Sequence, residues 1–514
     1  MAQQIASKFI SLVPTNGTEF TVQSGQKLIF ELNPSLGLVK GRDSYLTFDV
    51  LNNSSDKQRL MLNNSAGVDS LIDRVDIYSL RTGQHLETMQ NYNQWMAISN
   101  QYLFEDKTNL QAMSGCGAKV HAKEVNAGGV LVPTLNESEN INNNLLSPIN
   151  SDGEAVYNFR RYTTPLKAGI LRYWDDERLC NVIGLQGLRI EITLAEPEEA
   201  CFNLTAKDES GVHYDITETA LDMGTTPAAP AVAGNVITTA EDFEINAFGF
   251  CVDNKVILTE AGNPVAVRTI TAIAKNGDKI DVTVDGPVIP VSTAVTMKLS
   301  ADTRALKVRP EFKVLSIAPP PQLVNQMANG FNYEFTTFDH FVDNIPQNAR
   351  KHLIELNSVA SRAVCVMTAF SNVEKLGGRT SSSLYAGDVP NDMNMNSVVY
   401  FLKSRLVPVR PYDPRNNQEK IIALHEIVKS LKSINKEAKD LGNSDGLNAQ
   451  SYTNTFMVGR QLARSPYYYN LGEAEGQVRL GFSAGRAHDI LANTFVWSRK
   501  IVSVTANGGV AVVL

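Results

Sequence analysis

The chain is divided by the stretch Ala318-Pro319-Pro320-Pro321-Gln322-Leu323-Val324-Asn325-Gln326-Met327-Ala328-Asn329-Gly330. Three consecutive prolines lack the backbone N–H that a sheet ladder needs, so no strand continues through them. The last of them, Pro321, can open a helix, because the first helical turn requires no donor there. Leu323, Val324 and Met327 then share one helical face, and the closing Asn-Gly pair is typical of a helix end. We therefore expect a stiff connector between two β-domains.

The sequence after the connector has the period-two alternation of half-buried strands. The alternating runs are Phe331/Tyr333/Phe335, Ile354/Leu356, Val478/Leu480/Phe482, Phe495/Trp497, Val502/Val504 and Val510/Val512. Residues 364–367 are apolar at every position and predict a strand buried on both faces. A further strand is predicted over 398–407, ended by Pro408. A helix is predicted from about residue 418 to 441.

The sequence before the connector repeats this order of elements. Alternating apolar residues predict strands at Phe20/Val22, Leu28/Phe30/Leu32, Leu46/Phe48/Val50, Val75/Ile77 and Leu188/Ile190/Ile192/Leu194. One helix is predicted over 87–103, with Tyr92, Trp95 and Met96 on its apolar stripe. Like the helix predicted over 418–441, it lies between strands. Many strands, close turns and no βαβ rhythm indicate an all-β protein of two sandwiches in tandem.

A segment of different composition interrupts the first half. Residues 205–307 contain 14 acidic and 8 basic residues, so most of the chain's net charge of −7 lies there. The segment also holds several short alternating strands and a tight-turn signal, Asn276-Gly277. The division predicted from these patterns is a first domain at 1–318, interrupted by a small all-β insert at 205–307. A linker with a short helix follows at 319–330, and a second domain at 331–514.

The overall composition excludes several classes of protein. The five cysteines form no Cys-x-x-Cys pair, which excludes zinc ribbons and thioredoxin-like sites, and their scatter favours a reducing compartment. No run of about 18 apolar residues predicts a membrane-spanning helix. The basic residues at 160–161 and at Lys403, Arg405 and Arg410 are too sparse for a nucleic-acid stripe, so we expect at most weak contact with DNA.

Candidate catalytic and metal sites lack their required surroundings. Gly481-Phe482-Ser483-Ala484-Gly485 matches the nucleophile-elbow pattern, but too little chain follows Ser483 to supply later triad members, and no α/β alternation surrounds it. His425-Glu426 begins a metalloprotease-like pair, yet position 429 is lysine instead of the second histidine. Three adjacent acids at 175–177 indicate a solvated turn. We therefore expect that the chain is not an enzyme, and we assign no catalytic, cofactor-binding or metal-binding residue.

Several segments resemble the double jelly-roll major capsid proteins of tailless double-stranded DNA viruses, most closely those of virophages and polinton-like elements. In the first half these are Gly67-Val68-Asp69-Ser70-Leu71-Ile72-Asp73-Arg74-Val75-Asp76-Ile77-Tyr78-Ser79, followed by Gly83 and Leu86-Glu87, and the strand at 187–194. In the second half they are 400–411 with the helix after it, and Asp489-Ile490-Leu491-Ala492-Asn493-Thr494-Phe495-Val496 through Val504 to Asn507-Gly508-Gly509-Val510. The insert at 205–307 lies outside the resemblance.

The resemblance implies a structural protein of the virion. Each half would be an eight-stranded sandwich, and three copies would form a homotrimer of pseudo-hexameric outline that tiles an icosahedral shell. The implied partners are the chain itself, neighbouring capsomers, and penton and minor capsid proteins. Assembly would take place in the cytoplasm or nucleus of the host cell. The insert, with its excess acid, is expected to face outward.

A receptor-binding or carbohydrate-binding surface protein is the alternative from another class. A spike or fibre of that class would show fibrous repeats or a trimeric coiled coil, and neither pattern occurs in the sequence. A carbohydrate binder would expose an aromatic platform. Of the three tryptophans, Trp95 and Trp497 fall in apolar patterned segments, which favours burial.

Overall fold

The structure is a computed structural model. It describes residues 7–54, 60–63, 66–102, 113–115, 122–124, 131–133, 145–146, 159–175, 178–203, 206–207, 213–214, 221–222, 236–238, 255–260, 263–276, 279–286, 295–299, 304–327, 330–356, 360–373, 390–403, 405–434, 456–462, 468–472 and 476–513.

The first half contains strands and helices with the following bounds: β1 (Ser7–Leu12), β2 (Phe20–Thr21), β3 (Lys27–Leu32), β4 (Leu38–Val39), β5 (Tyr45–Asn52), β6 (Leu60–Leu62), β7 (Ile72–Ser79), β8 (His85–Met89), α1 (Tyr92–Tyr102), β9 (Ala122–Glu124), β10 (Leu131–Pro133), β11 (Leu145–Leu146), β12 (Arg160–Pro165), β13 (Cys180–Asn181), β14 (Leu188–Leu194), α2 (Pro197–Ala200), β15 (Cys201–Asn203), β16 (Ala206–Lys207), β17 (His213–Tyr214), β18 (Leu221–Asp222), β19 (Val236–Thr238), β20 (Lys255–Glu260), β21 (Asn263–Asn276), β22 (Lys279–Val284), β23 (Val295–Leu299) and β24 (Leu306–Ile317).

The connector contains α3 (Pro321–Met327), and the second half follows it. Its elements are β25 (Phe331–Ile345), β26 (Lys351–Glu355), β27 (Ala363–Asn372), β28 (Met395–Leu402), β29 (Arg405–Tyr412), α4 (Asn417–Ser433), β30 (Met457–Gln461), β31 (Gly476–Phe482), β32 (Ile490–Val504) and β33 (Val510–Val513).

The second half has the strand order of a jelly roll. One sheet runs β25-β32-β27-β30 and the other β26-β31-β28-β29. If β25 to β32 are renumbered 1 to 8 along the chain, the first sheet has the order 1-8-3-6 and the second the order 2-7-4-5. Only strands 4 and 5 are neighbours both in the sheet and in the chain, so every other neighbouring pair is joined by a crossover. All pairings are antiparallel, and the longest joins Phe331–Ile345 to Val504–Ile490 in continuous register. This is the eight-stranded, two-sheet Greek-key sandwich.

The first half has the same strand order. One sheet runs β12-β5-β24, with β1 and β2 both paired to the far side of β24, and the other runs β3-β14-β7-β8. When β1 and β2 are counted together as the first strand and β24 as the eighth, the sheets again hold strands 1-8-3-6 and 2-7-4-5. The chain is therefore a double jelly roll, which confirms the all-β fold predicted from the sequence.

The insert lies in the connection between the seventh and eighth strands of the first sandwich. In that sandwich the connection is residues 195–305, whereas in the second sandwich it is only 483–489. The insert carries its own sheet, in the order β18-β23-β20-β21-β22-β19. The predicted hairpin is confirmed by the pairing of Asn276 with Lys279, although the turn itself lies outside the described residues.

The two helices of the sandwiches differ from their predicted bounds. Helix α1 begins at Tyr92, because 85–89 forms the edge strand β8 and Asn91 has a left-handed φ of 49°. Leu103 lies outside the described residues, as do residues 435–441 of the helix that was predicted to reach Leu441. Helix α4 begins where the Asn416 side chain accepts a hydrogen bond from the Gln418 amide.

One predicted strand proved to be two. Residues 398–407 span parts of β28 and β29, which form a hairpin through Leu402 and Arg405. Pro408 does not end the strand but lies within β29. An edge strand tolerates proline because one side of it has no ladder to donate to.

The connector lies at the surface. Pro320, Pro321 and Gln322 are exposed, and Val324 of the predicted apolar face is 38% exposed. Within the described residues, no helix is both long enough and apolar enough to cross a membrane.

Candidate functional site: the junction between the two sandwiches

The two sandwiches meet through different surfaces. The first contributes β8, α1 and the loop at 166–175, and the second contributes its first and eighth strands, β25 and β32. Residues 492–498 of β32 are buried at every position, although side chains alternate between the two faces of a strand. One face covers the core of the second sandwich, and the opposite face is covered by the first sandwich.

An aromatic cluster fills the centre of this junction. Trp95 of α1 packs against Phe495 and Trp497 of β32, with ring centroids 4.9 and 5.1 Å apart. Trp174, from the loop, lies 4.9 Å from Trp497, and Phe338 of β25 lies 5.1 Å from it. All five side chains are at most 1% exposed. Tilted and edge-on aromatic contacts of this kind add to the large apolar area that each ring buries.

Backbone approaches backbone beside the cluster. A Cβ atom added to Gly169 would lie 1.9 Å from the carbonyl oxygen of Thr336 on β25. No side chain fits at that distance, so glycine at 169 is what allows the loop to reach the second sandwich.

A buried carboxylate fixes the loop to β8. Glu87 is 1% exposed, and its two oxygens accept hydrogen bonds from the amides of Gly169 and Ile170 at 3.0 and 2.8 Å. Burial raises the pKa of Glu87, while these hydrogen bonds and the charge of Lys500 on β32 lower it. The carboxyl group holds in place the same loop that contains Trp174.

A polar contact crosses the junction at Tyr333 of β25. Its hydroxyl donates to the carbonyl oxygen of Ile170 at 2.7 Å, and the Arg172 guanidinium lies 4.1 Å from its ring centroid. Asp175 pairs with Arg172 at 2.9 Å. The Cys180 thiol next to Tyr333 is fully buried, and burial raises its pKa to about 12. The buried Tyr333 hydroxyl therefore has a hydrogen-bond partner from the opposite sandwich.

A histidine forms a second crossing contact. His340 of β25 stacks on Phe495 at 4.5 Å, and its Nδ1 lies 2.7 Å from Asn91 Nδ2. Its Nε2 lies 3.2 Å from Asn493 Oδ1. These contacts fit a neutral ring that accepts from Asn91 at Nδ1 and donates to Asn493 at Nε2. Burial lowers the pKa of His340 to about 4, so the ring is uncharged at neutral pH.

The candidate residues from the sequence lie elsewhere and have structural partners. Ser483 is in the 483–489 turn, where its hydroxyl accepts from Asn396 and Arg415, each at 3.1 Å. His425 is exposed on α4, and the adjacent Glu426 pairs with Lys429 and Arg460. Across the part of the chain that the structure describes, no three His, Cys, Asp or Glu side chains are placed to hold a metal ion.

Two of the basic residues considered for nucleic-acid binding also have partners within the chain. Arg161 makes a bidentate ion pair with Asp49, at 2.7 and 2.8 Å. The carboxylate of the neighbouring strand therefore neutralises its charge. Lys403 lies over the Tyr469 ring at 5.1 Å. Asp175, the first of the three adjacent acids, pairs with Arg172, and positions 176–177 lie outside the described residues.

Sequence reasoning did not identify the junction. Trp95 and Trp497 were expected to be buried, but the pattern did not indicate that they touch each other or Trp174. Trp95 and Trp497 fall in predicted elements, whereas no pattern surrounds Trp174. Glu87 was placed in a helix and is instead the buried anchor of β8.

Comparison with solved structures finds the same fold in a viral capsid chain. No protein-family model matches the chain, and no curated protein matches it in sequence. A chain of the PBCV-1 virus capsid, known from a quasi-atomic model, is 11% identical, with 99% of this chain and 98% of that chain covered and a TM-score of 0.51. The Faustovirus major capsid protein is 8% identical over 97% and 90% of the two chains, with a TM-score of 0.49. The mavirus major capsid protein is 10% identical over 100% and 92%, with a TM-score of 0.40.

The junction packs the two sandwiches directly against each other. Its centre is aromatic, and hydrogen bonds of Tyr333 to Ile170 and of Asn91 to His340 cross between the sandwiches. Because the contacts include backbone as well as side chains, the junction constrains the angle between the sandwiches.

Proposed function

We propose that this chain is the major capsid protein of a tailless icosahedral double-stranded DNA virus. Three copies would form a pseudo-hexameric trimer, and these trimers would tile the shell. The observation that carries the proposal is the repetition of one jelly-roll topology in two sandwiches joined at a fixed angle. The fold shared with the PBCV-1 capsid chain supports it.

A shell protein needs this kind of rigidity. A tile has to present the same outline to every neighbour, since small errors in angle accumulate across a closed surface. A junction of buried rings and paired polar groups resists bending because interiors are packed as densely as crystals. The exposed proline connector would then act only as a tether between the sandwiches.

The proposal includes a division of the chain. The first jelly roll would occupy 1–318, interrupted by the insert at 205–307, with a linker at 319–330 and the second jelly roll at 331–514. The insert would face the outside of the particle, because its acidic excess would be repelled by packaged DNA. A particle map that places 205–307 on the genome side would overturn this orientation.

The proposed location is the virion, after assembly in the cytoplasm or nucleus of the host cell. The proposed partners are other copies of the chain, together with penton and minor capsid proteins at the edges of the tiles. Contact with the genome would be weak, since the net charge is −7 and Arg161 is already paired.

Mass measurement tests the function directly. The purified chain is expected to have three times the mass of the single 56.3 kDa chain and to form shells or sheets visible by electron microscopy. A glycan array measured on the same sample tests the alternative surface-binding function. A monomer that binds glycans would overturn the capsid proposal. Burial of all three tryptophans argues against an aromatic platform for sugars.

A further inference from the structure

Strands β3 and β26 hold the same place in the two sandwiches, at the end of a sheet. Lys27 opens β3 and pairs with Thr193 of β14. Lys351 opens β26 and pairs with Gly481 of β31. One side of the backbone of an edge strand has no partner in its own sheet, and proteins usually cover or protect that side. The two strands differ in what covers it.

The first sandwich covers the edge of β3 with its own chain. The Thr15 amide donates to the Ile29 carbonyl oxygen at 2.8 Å, and the Ile29 amide donates to Asn16 Oδ1 at 3.1 Å. The Asn16 side-chain amide also donates to the Lys27 carbonyl oxygen at 2.8 Å. Thr15 and Asn16 lie in the break between β1 and β2, so the interrupted first strand supplies this cover.

The second sandwich lacks such a break, because its first strand, β25, is continuous over 15 residues. At the two ends of β26, the Arg350 carbonyl oxygen and the Leu356 amide bond to β31, each at 2.9 Å. Since these directions alternate along a strand, the backbone groups of Lys351 and Leu353 point to the outer side. Among the described residues, none forms a backbone hydrogen bond with that side, which we call the β26 edge.

A groove lies on the outer face of the sheet next to the β26 edge. Its volume is about 770 Å³, and Arg350, Lys351 and Arg479 line it, with no Asp or Glu among the described lining residues. Arg479 is exposed, and its guanidinium lies 4.3 Å from the centroid of the Phe401 ring. Leu353, which is 38% exposed, adds an apolar side chain. This basic groove therefore favours a ligand that carries carboxylates.

The corresponding face of the first sandwich neutralises its own charges. Arg479 pairs with the residue two after Lys351, and Glu191 pairs with the residue two after Lys27, so these two positions correspond. Glu191 makes ion pairs with Lys27 at 2.9 Å and with Arg189 at 2.7 Å. Within the described part of the second sandwich, no carboxylate forms an ion pair with Arg479. A carboxylate from outside the chain would balance that charge as Glu191 does in the first sandwich.

We infer that the β26 edge and the basic groove bind an extended acidic segment of another protein. The segment adds to the sheet as a further strand, with its backbone bonded to Lys351 and Leu353. Alternate side chains of an added strand lie on the groove side of the sheet, where Lys351 and Arg479 attract carboxylates. Glu355, at the far end of β26, lies outside the groove. Binding does not depend on shell formation, because every residue involved belongs to the second sandwich.

Fluorescence anisotropy on the full chain tests the inference. The probe is a short fluorescein-labelled peptide of alternating threonine and glutamate. One control peptide has glutamine in place of glutamate, and the other is the glutamate peptide N-methylated along its backbone, which cannot donate to a strand edge. The glutamate peptide is expected to bind about tenfold more tightly than either control, and its affinity should fall as salt is raised.

Three variants locate the site. Arg479→Gln removes the charge and should weaken binding about tenfold. Leu353→Pro removes an amide that points outward, so it costs no ladder bond and should abolish binding. Arg189→Gln, at an exposed position on the corresponding face of the first sandwich, is the matched control and should bind like the wild type. Unfolding midpoints verify folding, and if Leu353→Pro does not fold, the N-methylated peptide still tests the backbone contact.

Each contrary result has a distinct meaning. Equal binding of the N-methylated peptide would show a plain anion site and overturn the strand pairing. Equal binding of the glutamine peptide, or equal losses in Arg479→Gln and Arg189→Gln, would overturn the acidic ligand or its location. A peptide that dissociates the trimer would show that a second copy covers the β26 edge, which also overturns the inference. Absence of binding overturns it as well, while the mass of the trimer tests the capsid function separately.

Discussion

Helices α1 and α4 occupy the same connection in two sandwiches of the same topology, and their surroundings differ. In α1 the side chains of Tyr92, Trp95, Met96 and Ile98, which point in several directions around the helix, are all fully buried. In α4 only one side is buried, against β30 and β27, through Ala423, Ile427 and Leu431. The opposite side of α4, with Ile421 and Ile422, faces solvent.

The difference shows that position in a topology does not decide burial. Helix α1 is covered because the second sandwich lies on it, whereas in the single chain α4 has only its own sandwich. The same secondary element is thus core in one half and surface in the other. The variants below test how far this contrast extends.

The largest expected effect is at the centre of the junction. Trp95→Ala removes a buried ring from a dense aromatic cluster and should lower the free energy of unfolding by about 3–5 kcal/mol. Ile421→Ala on α4 is the matched change and should cost about 0.5 kcal/mol or less in the dissociated single chain. Urea unfolding of both variants at low protein concentration measures the contrast. Similar losses at the two helices would contradict it.

Acid should weaken the junction through His340. Its pKa is about 4 when folded and about 6.5 when unfolded, so the unfolded chain binds a proton first as the pH falls. Stability contributed by the neutral ring is therefore complete above pH 6.5, is lost progressively toward pH 4, and changes no further below that. The expected loss is about 2–3 kcal/mol.

Comparison with a variant isolates this effect from other titrations. His340→Gln cannot take up a proton, so its stability should fall less between pH 7 and pH 4 than that of the wild type. His425→Gln, on the exposed side of α4, is the matched control and should follow the wild type. Parallel pH profiles for the wild type and His340→Gln would refute the assignment.

The smallest expected effect is at the rim of the junction. Tyr333→Phe removes the donor to the Ile170 carbonyl oxygen and leaves that buried acceptor unpaired, at a cost of about 1–2 kcal/mol. Tyr468→Phe is the control, since its hydroxyl bonds Glu334 at 3.3 Å in a half-buried setting and should cost less. Chemical unfolding distinguishes the two, and equal losses would argue against a special role for the contact at Tyr333.

The sequence predicted secondary structure correctly where an alternating pattern of apolar residues corresponds to a single buried face. The alternations at 188–194 and 478–482 correspond to β14 and β31, because each of these strands has one face on its own sandwich core. The helix over 87–103 was wrong at its start, because Glu87 and Met89 also fit helical spacing while tertiary pairing with β7 makes them strand. Trp174 gave no signal, since it lies in a loop that has no period.

The sequence by itself determined that the chain is two β-sandwiches with an insert and a helix in each half. Those features follow from local alternation, turn residues and proline, which act over a few neighbouring positions. Only the tertiary structure decided that Trp95, Trp174 and Trp497 form one cluster and that one side of α4 is exposed to solvent. Apolar burial has no preferred direction or partner, so which distant residues meet depends on how the whole chain packs.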